Sequence, residues 1–137
     1  MDLGIQGKRA LLLAASSGLG FASALALSRE GVEIVVSSSS LERAEAAAAK
    51  ISEKTGNKAV GLLGDLSNPE NMDKLAEEAK AALGGDIDIL FLNHGGPPLQ
   101  KALEVSQENL AEQVNMMVIS QVRIVQTLIP AMIENKW

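Results

Sequence analysis

Four times along the chain a short apolar run gives way to a turn and then to a longer stretch with helical spacing. Residues 10–15 are continuously apolar; Ser16, Ser17, Gly18, Leu19 and Gly20 follow, then residues 21–30, rich in good helix formers and stopped by Gly31. Residues 32–37 form a short β-branched run. After it Ser39, with Glu42 three residues on, makes a capping box for the Ala-rich stretch 41–55, which Gly56 closes. The third unit predicts a strand over 59–63 with Asp65 at its end. Its helix runs from about 69 to 83, capped by Ser67 or Asn68 and ended by Gly84 and Gly85. The fourth predicts a strand over 87–92, a turn through His94, Gly95, Gly96, Pro97 and Pro98, and a long helix over roughly 108–135.

Strict βα alternation with near-continuous apolar strands implies a parallel sheet covered by helices on both faces and joined by right-handed crossovers. The expected fold is α/β, a Rossmann-like doubly wound sheet of four βα units in strand order 3-2-1-4, one domain over residues 1–137. The units share no self-similarity beyond hydrophobic pattern, which sets aside a repeat architecture.

The last helix breaks the pattern. From Met116 to Ile133 twelve of eighteen residues are apolar, and they surround most of the helix, whereas covering one sheet face needs only a stripe. Ser120, Gln121, Arg123, Gln126 and Pro130 interrupt the run and argue against a membrane span. The expectation is burial on two sides, against the sheet and against a further part of the fold or a second chain. A homodimer or homotetramer through this helix is expected, with Ile124 or Ile119 facing the partner and residues 134–137 able to fold back over the edge of the fourth strand.

Composition narrows the function. At 137 residues, with 47% apolar and 21% charged residues, the chain is long enough for a real core. Its net charge is −5 and its twelve Lys and Arg are dispersed, so nucleic acid and acidic membranes are not expected partners. The absence of cysteine removes disulfides, thiolate catalysis and Cys-based zinc sites, no metal site is expected, and with no export signal visible the expected location is cytoplasmic.

The chemistry gathers where strands end. A glycine turn opening a helix lets backbone approach a pyrophosphate and offers it free N–H groups at the positive end of the helix dipole. Gly18, Leu19 and Gly20 hold that place, although two glycines so spaced also suit a tight bend or close packing. About twenty residues on, where a carboxylate would bind the ribose 2′-OH of NAD, stand Ser37, Ser38, Ser39 and Ser40. Hydroxyls at a helix N-terminus suit a 2′-phosphate, so NADP is favoured over NAD; the alternative reading is that the serines only cap the helix. Asp65 reads as a turn residue or a ligand, and Asn115 as a satisfied helix polar residue or a functional one. His94, the single histidine, has no identifiable acid partner and is read as incidental.

The segment from Ala14 through Ser16, Ser17, Gly18 and Leu19 to Gly20 resembles the T-G-x-x-x-G-x-G loop of the short-chain dehydrogenase/reductase family, in its 3-oxoacyl-(acyl-carrier-protein) reductase type. Gly64-Asp65-Leu66 resembles that family's Asp at the adenine ring, and Asn93-His94-Gly95 the end of its N-N-A-G. Asn115 matches the Asn of its catalytic tetrad, in a helix that also carries the family-like Leu128-Ile129-Pro130-Ala131-Met132. The resemblance implies cofactor contacts from Ala14, Ser16, Ser17, Gly18, Leu19, Gly20, Asp65, Leu66, Asn93, His94 and Gly95, joined by Ser38 and Ser39 from the second strand, and a supporting catalytic place for Asn115. It departs from the pattern at Leu13 and Ala14, where the family has Thr and the first Gly, and at Leu92 and His94, which replace Asn and Ala of N-N-A-G.

By the same resemblance the catalytic Ser and the Tyr-x-x-x-Lys belong to a fifth strand and the helix after it. This sequence holds no tyrosine, and it ends where that strand would begin. The expectation is the NAD(P)-binding half of an oxidoreductase that moves a hydride between nicotinamide and a carbonyl or secondary alcohol, its small-molecule substrate, with no turnover from these residues alone. The alternative is a non-catalytic nucleotide-binding or structural dimerisation module.

Overall fold

In the computed structural model, which describes residues 1–137, nearly every apolar side chain of the central strands is withdrawn from solvent. The elements alternate as expected. Strand β1 is Arg9–Leu12, helix α1 Gly18–Arg29, β2 Glu33–Ser38, α2 Leu41–Thr55, β3 Ala59–Leu63, α3 Asn71–Leu83 and β4 Ile89–Phe91. A 3-10 turn at Ala102–Glu104 leads into α4, Gln107–Val114; a π-helical stretch, Asn115–Ile119, joins it without a break to α5, Ser120–Glu134.

The sheet is parallel throughout and ordered β3-β2-β1-β4. Leu11 pairs with Val35 on one side and Leu90 on the other, which sets β1 in the middle. Because side chains alternate across a strand, β1 and β2 feed two cores. Leu11, Leu13 and Val35 meet Met72, Leu75, Ala76 and Ala79 of α3 and Ile124 and Leu128 of α5. Ala10, Leu12, Ile34 and Val36 meet Ala24 of α1 and Ala47, Ala48 and Ile51 of α2. Small residues on α2 allow close seating, and Gly61 completes it. A Cβ there would collide with the backbone of Ala44 and Glu45, a constraint that the β-strand pattern gave no sign of.

Helix starts differ from expectation in instructive ways. Ser40, not Ser39, caps α2, its hydroxyl accepting from the Arg43 N–H at 3.3 Å. Helix α3 begins at Asn71, and neither Ser67 nor Asn68 caps it. Asn68 accepts from the Glu70 N–H at 3.2 Å, and Ser67 instead donates its hydroxyl to Asp65 at 2.8 Å. The π stretch was not foreseen, because an inserted residue leaves the apolar run intact while turning the helix phase. Ile124, expected at a partner, is fully buried against the sheet, whereas Ile119 is open. Residues 134–137 turn to the amino ends of the strands, the Lys8 ammonium lying over the Trp137 ring at 4.1 Å from its centroid and Asn135 donating to Asp86 at 3.2 Å. They do not cover β4, whose residues stay half-buried at a sheet edge.

The helix Gln107–Glu134 is long and apolar enough to cross a membrane, and 28% of its most apolar window is buried here. One face docks on the sheet through Ser120, Gln121, Ile124 and Leu128. Leu110, Val114, Val118 and Val122 are left open.

Helices α3 and α5 are also clasped by charge. Arg123 donates to Asp73 at 2.7 and 3.2 Å, and the Thr127 hydroxyl donates to its other oxygen at 2.9 Å. The Arg123 hydrogen bond first, then that from Thr127, holds the Asp73 carboxyl below its ordinary value of 3.8. A depressed carboxylate contributes stability above its unfolded pKa and loses it as pH falls through the folded one. The stability difference between the natural chain and Arg123→Gln is therefore expected to be constant above about pH 4 and to shrink below it. Urea midpoints from pH 2 to 7 check this, and a difference that persists undiminished at the acid end would refute it.

Candidate functional site

Strand β1 ends at Leu12, and the chain then turns sharply into α1. The turn is held from the two neighbouring strands by three bonds: the Leu13 N–H donates to Phe91 O at 3.1 Å, the Ala15 N–H to Ser37 O at 2.9 Å, and the Asn93 side-chain amide, just beyond β4, to Ala14 O at 3.1 Å. Ala14 adopts φ +47°, the left-handed conformation that favours glycine. The loop thus keeps a glycine-like turn although Ala stands at the position, and the neighbours hold the strain in place.

Ser17 is the N-cap of α1, but its side chain makes no cap bond, so the first N–H groups of the helix have no side-chain partner. Gly18 follows at φ +57° with open space around its Cα, and Leu19 projects into solvent. Gly20 is the opposite case. A Cβ there would stand 2.7 Å from Ala15 Cα and 2.9 Å from Asn93 Nδ2, so only glycine lets α1 lie this close to the end of the sheet. Bare backbone, unpaired donors and the helix dipole converge on one spot, which suits a phosphate.

Beside this turn lies a cavity of about 230 Å³ at the carboxyl ends of β1, β2 and β3. Of the residues expected there, Ala14, Ser16, Ser17, Ser38, Ser39, Asp65, Leu66 and Gly95 line it, joined by Gly64, Arg43 and Met116, which sequence reasoning missed. The Ser16 hydroxyl donates to Ser38 Oγ at 3.2 Å, tying the glycine turn to the end of β2. Arg43 donates to Ser39 Oγ at 3.1 Å. It comes from the first turn of α2, so a search for Arg directly after the strand passes over it. A second cavity of about 280 Å³, lined by Ser16, Ser17, Phe21, Arg43, Ala46, Ala47 and Lys50, flanks the same guanidinium.

Asp65 serves both readings. Its Oδ1 accepts from the Ser67 N–H at 3.0 Å and from the Ser67 hydroxyl, a turn role, while the residue also lines the cavity. Asn93 acts as a brace, not a lining residue. His94 uses Nδ1 to accept from the Gly96 N–H at 3.1 Å and stays out of the cavity. Asn115, half-buried at the start of the π stretch, also stays out, and the next residue, Met116, reaches in.

Wider grooves exist elsewhere, one of about 570 Å³ beside Val118, Ile119 and Val122 and one of about 360 Å³ at the amino ends of the strands. Neither gathers hydroxyls, a guanidinium and free helix donors. A doubly wound sheet binds ligands at the carboxyl ends of its strands, and the fold sets the chain among the Rossmann-like α/β proteins with its candidate site at that end.

Known proteins place it further. A family profile described as short chain dehydrogenase matches residues 8–137, and the chain belongs to the short-chain dehydrogenase/reductase family. It is 31% identical over 137 residues to 3-oxoacyl-(acyl-carrier-protein) reductase FabG of Aquifex aeolicus, matching all of this chain and 55% of that protein. Over 92 residues it is 40% identical to the uncharacterized oxidoreductase YghA of Escherichia coli, 66% of this chain and 31% of that protein. Among solved structures it is similar to L-sorbose reductase from Gluconobacter frateurii complexed with NADPH and L-sorbose. The TM-score is 0.91 at 31% identity, over 98% of this chain and 51% of that one. A 3-oxoacyl-(acyl-carrier-protein) reductase from Agrobacterium tumefaciens with NADP bound gives a TM-score of 0.88 at 28% identity, over 97% and 50%. The chain thus spans about half the length, or less, of these relatives.

The strained turn yields a direct test. Ala14→Gly removes the left-handed penalty and is expected to raise unfolding free energy by about 1 kcal/mol, offset in part by the freer unfolded chain. Urea unfolding reads this, and a less stable variant would show that Ala14 is not strained.

Proposed function

We propose that these residues are the NADP(H)-binding platform of an oxidoreductase that transfers a hydride between nicotinamide and a carbonyl or secondary alcohol. The observation that carries the reading is the Ser38, Ser39 and Arg43 cluster beside the glycine turn. A carboxylate there would repel a 2′-phosphate; two hydroxyls and a guanidinium suit one, with Lys50 beyond. The relatives crystallised with NADPH and NADP support the same cofactor. Gly18, Leu19 and Gly20 would take the pyrophosphate, Asp65 and Leu66 the adenine end. Asn93 and Gly95, with His94 between them, would stand on the nicotinamide side.

When bound, the nicotinamide supplies or accepts the hydride. This chain's own part is binding and orientation. Among its 137 residues there is no tyrosine to act as general acid. We therefore read these residues as not turning over by themselves, Asn115 supporting a site completed by other residues. The open face of α4 and α5 fits a second copy of this chain in a homodimer or homotetramer.

Fluorescence titration should find NADPH bound more tightly than NADH. Arg43→Ala is expected to weaken NADPH roughly ten- to a hundredfold, the worth of a charged hydrogen bond, and to leave NADH little changed. Equal affinities for the two nucleotides, insensitive to salt, would contradict the reading. For assembly, sedimentation at micromolar concentration should show an oligomer that Val122→Lys dissociates without unfolding. A monomeric natural chain would refute that part.

A further inference from the structure

We infer that Gln121 is a positioning residue for the nucleotide cleft, acting from α5 on the strand end that fixes the glycine turn. The inference rests on the nucleotide-binding reading above. Gln121 is 8% exposed, on the face of α5 that meets the sheet. Its Nε2 donates to Asn93 O at 3.0 Å and lies 3.5 Å from Met116 O. Asn93 passes the restraint on. Its side-chain amide donates to Ala14 O at 3.1 Å and stands 2.9 Å from where a Cβ on Gly20 would be. Three residues thus connect the last helix to the turn that would meet the pyrophosphate.

The residue before Gln121 acts in parallel. The buried Ser120 hydroxyl donates to Leu66 O at 2.7 Å, holding the segment after β3 at the adenine end. Ser120 and Gln121 follow directly on the π stretch, which carries Met116 at its second position. A wider turn there lets Met116 reach the cavity while the next two residues of α5 face the sheet. One helix therefore contacts both ends of the cleft through adjacent residues.

Stability alone is a poor account of Gln121. Its Oε1 is buried and meets no donor from the chain, and a buried acceptor without a protein partner is destabilising. Methionine has similar length and would fill the site without that penalty. What methionine cannot do is hold the Asn93 carbonyl. The amide is costly to the fold and useful to the loop, the pattern expected of a group placed for a site.

The test compares Gln121→Met with the natural chain by thermal unfolding, amide hydrogen exchange without ligand, and titration with NADPH and with 2′,5′-ADP. Tm should be unchanged or higher. Exchange at Ala15 and Phe21, whose N–H groups donate to Ser37 O and Ser17 O, should quicken roughly fivefold, the effect of one lost hydrogen bond. NADPH should bind about fivefold more weakly, whereas 2′,5′-ADP, confined to the end held by Ser120, should change less than about twofold. Unchanged exchange in the turn overturns the inference. So does a lower Tm with both ligands weakened alike, which would mark a purely structural residue. If the natural chain binds neither nucleotide, the nucleotide-binding reading fails by itself, and the exchange measurement still decides whether Gln121 positions the turn.

Discussion

At Gly20 the first helix passes so close to the end of the first strand that its Cα hydrogen is all that fits between α1 and Ala15, with the Asn93 amide beside it. That approach sets the rest of the cleft. It forces the chain to reverse within the few residues after Leu12, which puts Ala14 at φ +47° and aims the free end of α1 across the sheet. It also brings Asn93 within reach of Ala14 O, so the first and fourth strands are joined by a side chain beyond their ladder. A binding surface made of backbone N–H groups needs such restraint, because backbone donors cannot change rotamer to meet a ligand.

Hydroxyls and one guanidinium provide what the backbone cannot. Ser16 meets Ser38 across the mouth of the cavity, and Arg43 meets Ser39 from the first turn of the next helix. The donors therefore sit on elements with buried faces: Ser38 in a strand surrounded by core, Arg43 one residue before the fully buried Ala44. Rigid supports of this kind hold polar groups in place at lower entropy cost than a free loop would. The last helix is the outer support. Its apolar residues divide between a face on the sheet, through Ile124 and Leu128, and a face left open, through Val118 and Val122. The Asp73–Arg123 pair between them clasps α5 to α3 in partly solvated surroundings.

Alternation of apolar runs and helical spacing determined the four βα units, the parallel sheet and its order, because the side-chain periods of strand and helix are fixed by backbone geometry and survive in any tertiary context. Residue types at strand ends pointed to the region of this cavity for a similar reason: a glycine turn before a helix, and polar residues after apolar strands, are local signals. Eight of the expected residues line the cavity on that basis. Contacts between segments distant in sequence were decided by tertiary structure alone. Arg43 reaches the cavity because α2 packs its Ala face on β3 at Gly61, which no local pattern records. Asn93 and His94, adjacent in sequence, part company because one side chain finds Ala14 O and the other finds its own turn. Met116, which the sequence did not single out, lines the cavity from a π turn that leaves the apolar run unchanged, while Asn115 beside it stays out. Ile124 and Ile119 look alike on a uniformly apolar helix, and only the direction in which α5 docks puts one in the core and leaves the other open. Sequence carries period and composition; which of several equivalent faces turns inward is settled when the elements pack.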